Sequence, residues 1–370
     1  MTYIYELSDW PELKWDLQTL SEALIHVRFK QGRHLGKIEA LGFDLKNDAA
    51  LTSLTDEVVK SSAIEGERLV TGEVRSSIAR KLGIDVAGLP KPGREVEAVV
   101  QMMLDATRNH DQPLSKERLC NWHAALFPTG RSGMFEITVG DWRTNKRGPM
   151  QIVSGRLGHE KVHYQAPEAE RLVAEMDKFI DWFNTESKLD PVLKAGIAHF
   201  WFVTVHPFED GNGRIARAIA EMQLSRADDS KDRFYSMSSG IESQREQYYW
   251  QLESSQTGSL DITAWLVWFL NCLESSIVGA DDMLKTVLFK AKVWQRINPS
   301  PINERQRKII KKLLDGFEGN MTTSKYSRIA KCSTDTALRD IIGLVELKIL
   351  EKNEGGGRST SYRLAEFDDK

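Results

Sequence analysis

Between His206 and Arg217 the chain sets an imidazole, a carboxylate, a Gly-Asn-Gly turn and two arginines within a single short stretch. Each part suits one task, holding a metal-bound polyphosphate and transferring a piece of it. His206, with an ordinary pKa near ~6.5, can take the proton of a hydroxyl nucleophile. Asp210 offers a hard oxygen to Mg²⁺, an ion that keeps several waters and takes one or two carboxylates together with phosphates. Gly211 and Gly213 allow positive φ and let the main chain come close to phosphate oxygens. Arg214 and Arg217, three residues apart, project from nearly one helical face, and each presents a planar fork of donors.

The flanking sequence predicts the elements that position these groups. Asp190-Pro191 reads as a cap and first-turn proline, followed by Leu193, Ile197, Phe200 and Thr204 on one helical stripe. A second helix is expected from about Gly213, with Ile215, Ile219 and Met222 inward. The motif is then a helix end, a tight loop and a helix start, where unpaired amides and the helix dipole favour an anion. Upstream, Leu54, Val58, Ser61 and Glu65 share a helical stripe that Gly66 is placed to end. A carboxylate closing an apolar stripe needs a cationic partner if buried. Residues 148–155 and 161–167 read as the arms of a β-hairpin around a glycine-containing turn at 156–160. Residues 245–252 form an aromatic-rich helical segment.

The pattern His-Pro-Phe-x-Asp-Gly-Asn-Gly-Arg-x-x-Arg resembles the defining motif of the Fic family at every fixed position. That resemblance implies a mainly α fold, with a Fic-type helical core and a β-hairpin flap. It implies transfer of AMP from ATP to a hydroxyl side chain of a target protein. His206 would be the general base and Asp210 the Mg²⁺ ligand. Asn212 and the amides of Gly211 and Gly213 would form an anion hole, Arg214 and Arg217 would hold phosphates, and Phe208 counts with the nucleotide-binding residues. Ser61 to Gly66 fits the inhibitory-helix pattern Ser/Thr-x-x-x-Glu-Gly/Asn of the self-inhibited subclass. There Glu65 would pair with Arg217 and block the place of the γ-phosphate, with Ser61 part of the same device. The flap would hold the target segment by strand pairing, through Ile152, Val153 and Tyr164. Trp142-Arg143 fits the approach to it. Tyr248 or Tyr249 would border the adenine, with Tyr248 taken as the nucleotide-binding residue. Two other uses stay open: removal of AMP from a modified protein, and nucleotide sensing by a transcription regulator.

The bulk properties agree with an enzyme of two or three domains. The chain has 370 residues and a formal net charge of −3, which gives no global pull toward nucleic acid or anionic membranes. No run of eighteen apolar residues and no secretion signal is visible, and the three scattered cysteines fit a reducing cytoplasm. The expected division is an N-terminal helical region at 1–88, a catalytic core at 89–297 and a C-terminal module at 298–370. A long helix from Ala280 to Arg296 leads to the prolines at 299 and 301. Beyond them, helices at 304–314, 323–330 and 334–347 and a hairpin at 349–364 resemble a winged helix-turn-helix, with Arg339 on the recognition helix and Arg358 at the wing tip. Its partner is left as DNA or protein, because basic residues only slightly outnumber acidic ones there. A homodimer is left open.

Overall fold

The structure, a computed structural model, describes residues 2–84, 90–155, 161–297, 300–314, 317, 319–353 and 360–365. It divides into two compact units, Met1–Met283 and Leu284–Lys370. The first unit thus takes in both the expected N-terminal region and most of the expected catalytic core.

The first unit opens with a short 3₁₀ turn, Ile4–Glu6, whose Ile4 is fully buried. Helix α1 (Leu17–Glu39) starts at Asp16, whose carboxylate accepts from the Gln18 amide at 2.9 Å. Then come α2 (Phe43–Ile64), α3 (Thr71–Leu82), α4 (Arg94–Arg108) and α5 (Lys116–Leu126). A tiny hairpin of β1 (Arg131–Ser132) and β2 (Phe135–Glu136) follows, which sequence periodicity does not reveal. The expected flap is present as β3 (Gln151–Ser154) antiparallel to β4 (Lys161–Gln165), with a bulge between Ile152 and Val153. Its turn, 156–160, lies outside the described residues. The unit continues through α6 (Leu172–Asn184), α7 (Pro191–Val205), α8 (Asn212–Asp228), α9 (Met237–Ser243), α10 (Arg245–Ser255) and the start of α11 (Thr263–Ile297).

Helix α7 is the axis of this unit. Asp190 caps it by accepting from the Val192 amide at 2.8 Å, and every residue from Val192 to Val205 is buried. A helix apolar on all sides belongs in the centre of a core. Its main neighbour is α8, also buried along most of its length. The helix expected at Ala280–Arg296 in fact begins at Thr263. By length and composition α11 could cross a membrane, although no unbroken apolar run marks it in the sequence. Trp265, Leu266, Phe269, Leu270 and Leu273 of that stretch are instead buried in the protein core.

Helix α2 is pinned by more than apolar packing. Leu51, Leu54, Val58 and Ile64 are buried. Glu57, buried beside them, accepts from Ser236 Oγ at 2.7 Å and from the Ser238 amide at 2.9 Å, and Ser238 Oγ adds a third bond. A buried carboxylate is tolerable when it is so fully hydrogen-bonded.

The second unit has its own apolar cluster, including Val293, Ile309, Tyr326, Ile341 and Leu350. It contains α12 (Glu304–Leu314), α13 (Thr323–Ala330) and α14 (Thr334–Glu346). The strands β5 (Met321–Thr322), β6 (Leu350–Lys352) and β7 (Ser361–Leu364) form a sheet in the order β5-β7-β6. Ser333 caps α14 through the Thr336 amide at 3.2 Å. Asp340 accepts from Asn303 Nδ2 and Arg305 Nε, both at 2.9 Å, and so fastens the start of α12 to α14. Arg358 lies outside the described residues.

Two core histidines make the first unit acid-sensitive. His123 lies flat on Phe208, ring centroids 4.1 Å apart, and burial pushes its pKa down to about 4. His199 shares a 2.9 Å hydrogen bond with the Tyr248 hydroxyl, and burial pushes it down to about 3. Both stay neutral in the folded state, while the unfolded chain takes up protons as pH falls through the ordinary value of 6.5. Stability is therefore fully present above 6.5 and is lost progressively as pH falls toward 4. Thermal melts between pH 7.5 and 5 should show a falling midpoint, with a shallower fall in His123→Gln.

Candidate active site

The loop between α7 and α8 carries the chemistry. Helix α7 ends at His206, which adopts a left-handed backbone (φ 52°) rare for a residue with a side chain. Such strain persists only where the surroundings enforce it. Here Arg143, itself 3% exposed, enforces it. Its Nε donates to the His206 carbonyl at 2.8 Å, its Nη2 to the Pro167 carbonyl at 2.5 Å, and its amide to the Pro207 carbonyl at 2.8 Å. One guanidinium thus ties the candidate base to the foot of the flap. The His206 ring is half-buried, with Nδ1 3.2 Å from the Val203 carbonyl. A carbonyl only accepts, so Nδ1 holds the hydrogen and Nε2 keeps its lone pair. Burial pushes the pKa to about 4, so the imidazole is neutral near pH 7.

Gly211 (φ 80°) turns the chain into α8, where a side chain would collide with Phe127. Asn212 closes the loop, its Oδ1 accepting from the Phe208 amide at 3.0 Å and its Nδ2 donating to the Phe208 carbonyl at 2.8 Å. That side chain is committed to loop shape, and what it leaves at the helix start is its amide. Asp210 accepts from the Ser132 hydroxyl and from the Gly211 amide, so its carboxylate is held in place.

The first turn of α8 is covered by an anion from the protein itself. Glu65, at the C-terminal end of α2, reaches Arg217 Nη2 at 2.8 Å. Its carboxylate lies directly over Gly213, where any added Cβ would strike it. Ser61 completes the clamp, with Oγ accepting from Arg217 Nε at 2.9 Å and its carbonyl accepting from Nη2 at 2.8 Å. Arg217 is 1% exposed. Burial works most strongly against its charge, but Glu65, by charge and hydrogen bond, together with Tyr248 and Tyr249 raises the pKa on balance, and the guanidinium stays protonated.

A second carboxylate, which sequence reasoning missed, does the same to the other arginine. Glu67 Oε2 accepts from Arg214 Nη1 at 2.8 Å. Burial, reinforced by Asp210 and Glu65, raises the Glu67 pKa despite the arginine beside it. Nothing in the spacing of Glu67 signals this, because it follows the end of α2 and lies on no periodic stripe.

A cavity of about 690 Å³ joins these groups and is bounded by Glu65, His206, Asp210 and Gly213, with flap and α10 residues opposite. Three expected members are almost wholly buried, and of these Tyr164 and Tyr248 still line the cavity whereas Phe208 does not. Tyr164 is 2% exposed and donates to the Thr204 carbonyl at 2.5 Å, anchoring the flap. Phe208 is fully buried on His123, and Tyr248 is 1% exposed against His199. Tyr249 is the more open neighbour, 39% exposed, with its hydroxyl on the Ile64 carbonyl at 3.1 Å. Ile152 is half-buried and Val153 exposed. The flap is also tied across the cavity: Ser154 Oγ lies 2.6 Å from His163 Nε2, and His163 Nδ1 lies 2.8 Å from Glu253.

The donor set fits a Mg²⁺-bound polyphosphate. Arg217 Nη1 and Arg214 Nε are buried without a hydrogen-bond partner among the described residues. Buried donors of that kind call for an acceptor. The first amides of α8 have no partner within the helix. Asp210 would be a carboxylate for Mg²⁺ carried on phosphates, an ion that takes one or two such ligands. Among the described residues no cluster of three His, Cys, Asp or Glu forms a cage for a metal held by protein alone.

The loop between α7 and α8 lies within a segment that this chain shares with known proteins. Residues 113–224 match the family model described as Fic/DOC family, and residues 3–84 match a domain of unknown function (DUF4172). The chain is 27% identical over 180 residues to Protein adenylyltransferase fic-1 of Caenorhabditis elegans, covering 46% of this chain and 31% of the relative. It is 35% identical over 223 residues to Protein adenylyltransferase Fic of Drosophila willistoni, covering 60% and 40%. The chain thus spans about a third of the length of these curated relatives. The crystal structure of a Fic family protein from Desulfovibrio desulfuricans G20 shares the fold, at TM-score 0.53, 18% identity and full coverage of both chains.

Arg143 is expected to be the costliest side chain to lose around the loop. Arg143→Ala strands the His206 and Pro167 carbonyls, at roughly 1–3 kcal/mol for each buried group left unpaired. A lysine cannot span both acceptors with one planar fork. Urea unfolding should show a lower midpoint for Arg143→Ala, only partly restored in Arg143→Lys.

Proposed function

We propose that this protein transfers AMP from ATP to a hydroxyl side chain of a target protein and that its own Glu65 holds the reaction back. The observation that carries the reading is the Glu65 carboxylate lying over Gly213 and on Arg217, the point where the first turn of α8 would meet a polyphosphate. The adenylyltransferase names of the relatives support the same chemistry.

In the proposed reaction the target hydroxyl oxygen attacks the α-phosphorus of ATP. Its proton passes to Nε2 of His206, the bond from the α-phosphorus to the β-phosphate oxygen breaks, and pyrophosphate leaves. The hydrogen bond from Nδ1 to Val203 holds the imidazole in the tautomer that can accept. Asp210 would hold Mg²⁺, which would offset charge on the phosphates. The amides of Asn212, Gly213 and Arg214 and the unused donors of Arg214 and Arg217 would bind the phosphate oxygens.

One guanidinium fork cannot serve Glu65 and a phosphate in full. With Glu65 in place, ATP would bind with its α-phosphate out of line, and misplacement by about 1 Å can cost on the order of 10²-fold in rate. Glu67 on Arg214 supports a matching restraint at the other arginine. The exposed flap edge near Val153 is assigned to the target segment, and Tyr249 to the base-side wall. The C-terminal unit is assigned as a winged-helix module for a protein partner, since α14 exposes Leu338 and Ile342 beside Arg339.

Incorporation from α-labelled ATP with Mg²⁺ tests this. Glu65→Gly should label itself or added proteins well above wild type, and Glu67→Gln should raise labelling further in that background. His206→Ala in the same background should lower the rate by about 10²–10⁴ while ATP binding persists. Equal labelling of wild type and Glu65→Gly would remove the case for self-inhibition. A full rate in His206→Ala would remove the assigned base.

A further inference from the structure

Beside the nucleotide cavity lies a smaller pocket of about 240 Å³ that shares Met150, Glu209 and Asp210 with it. Several of the polar groups on its walls are already engaged. Ser132 Oγ donates to Asp210, and Glu209 accepts from Thr138 Oγ1 at 2.7 Å. The donors of Arg143 go to the His206 and Pro167 carbonyls. The rest of the lining includes apolar Phe135, Ile137, Pro149 and Met150. Such a space is smaller than the roughly 300–1,000 Å³ of small-molecule sites, and suits one bulky side chain.

The rim carries exposed apolar surface. Phe135 is 68% exposed and Met134 86% exposed, two large apolar residues side by side on the β1–β2 hairpin. Arg131 holds that hairpin, donating to the Met134 carbonyl at 2.6 Å and pairing with Glu136 at 3.4 Å. Exposed apolar residues fixed at the mouth of a cleft mark a place where another molecule is bound.

Position relative to the reacting groups says which molecule. Met150 precedes β3 and stands in the wall common to both cavities. An extended segment whose hydroxyl reached His206 from the flap side would pass this shared wall, and the side chains on one face of an extended segment recur every second residue, at about 6–7 Å. We propose that the pocket receives a bulky apolar side chain of the target protein, at one fixed offset from the modified hydroxyl. The protein then selects hydroxyls flanked by Leu, Met or an aromatic residue. This rests on the AMP-transfer reading, and it adds Phe135 and Ile137 as determinants of which hydroxyl is taken.

The test uses the full chain carrying Glu65→Gly, α-labelled ATP and Mg²⁺. The probe is a synthetic peptide library with one fixed Ser, Thr or Tyr and randomised neighbours, its labelled members being read by mass spectrometry. The expected result is enrichment of bulky apolar residues at a single offset. Phe135→Asp should cut labelling of the enriched peptides by about tenfold, within the range one pocket contact supplies. Phe135→Leu should restore most of it, with the Mg·ATP dissociation constant by calorimetry the same in all three proteins. Labelled peptides with no apolar preference, or a preference that survives Phe135→Asp, overturn the pocket assignment alone. Mg·ATP binding with no label on any peptide or on the protein overturns the transfer reading and this inference with it.

Discussion

A guanidinium with 1% exposure must be paired, and the pairing of Arg217 organises the site. Stripping a charge of water without a partner costs several kcal/mol or more. Arg217 meets that demand with Ser61 and Glu65, both from α2, and keeps Nη1 without a partner among the described residues. The N-terminal helices and the motif helix are thereby joined through one side chain. A phosphate would meet the same demand, so in the proposed reading two anions would compete for one fork.

Other parts of the first unit hold that fork and its loop in register. Arg143 fixes the strained corner at His206 and reaches the carbonyl beside the flap foot. Asn212 clamps Phe208, and Ser132 holds Asp210 from the β1–β2 hairpin. The N-terminal turn joins in through Tyr5, whose hydroxyl donates to the Gln165 carbonyl at 3.0 Å, and through Tyr3, which packs edge-on against Tyr164 at 5.2 Å. The matched segment 3–84 therefore touches both the arginine and the flap, and is part of the site's architecture.

Much of this was legible in the sequence because it follows from periodicity and capping. Asp190-Pro191 opens α7 where expected, α8 starts one residue before Gly213, and Glu65 stands at the end of α2 with Gly66 beyond it. What stayed hidden depends on tertiary partners or on the parity of short elements. Ile152 and Val153 face opposite ways, with Tyr164 paired to Ile152 on the buried side, and the bulge between them sets Val162 opposite exposed Val153. Tyr248 and Tyr249 are adjacent on a helix, and only packing against His199 shows which is inward. Glu67 and Ser132 lie outside any long periodic element, and their roles exist only once Arg214 and Asp210 are brought to them.

The anchoring of α2 also bears on how fast the proposed restraint would come and go. Its helix is held through Glu57 on Ser236 and Ser238, and Ser61, Ser62 and Ile64 have no exposed surface. Withdrawing the whole helix would break that packing, an opening of the kind that takes microseconds to seconds. The Glu65 side chain is 30% exposed and lies just beyond the last turn, so it can swing aside by a rotamer change alone, slowed by the ion pair with buried Arg217 that it must break. Release by this route would be quicker than withdrawal of the helix. In the proposed reading, basal output would follow the time-averaged fraction of molecules with the carboxylate swung aside, and a signal would need only to shift that fraction.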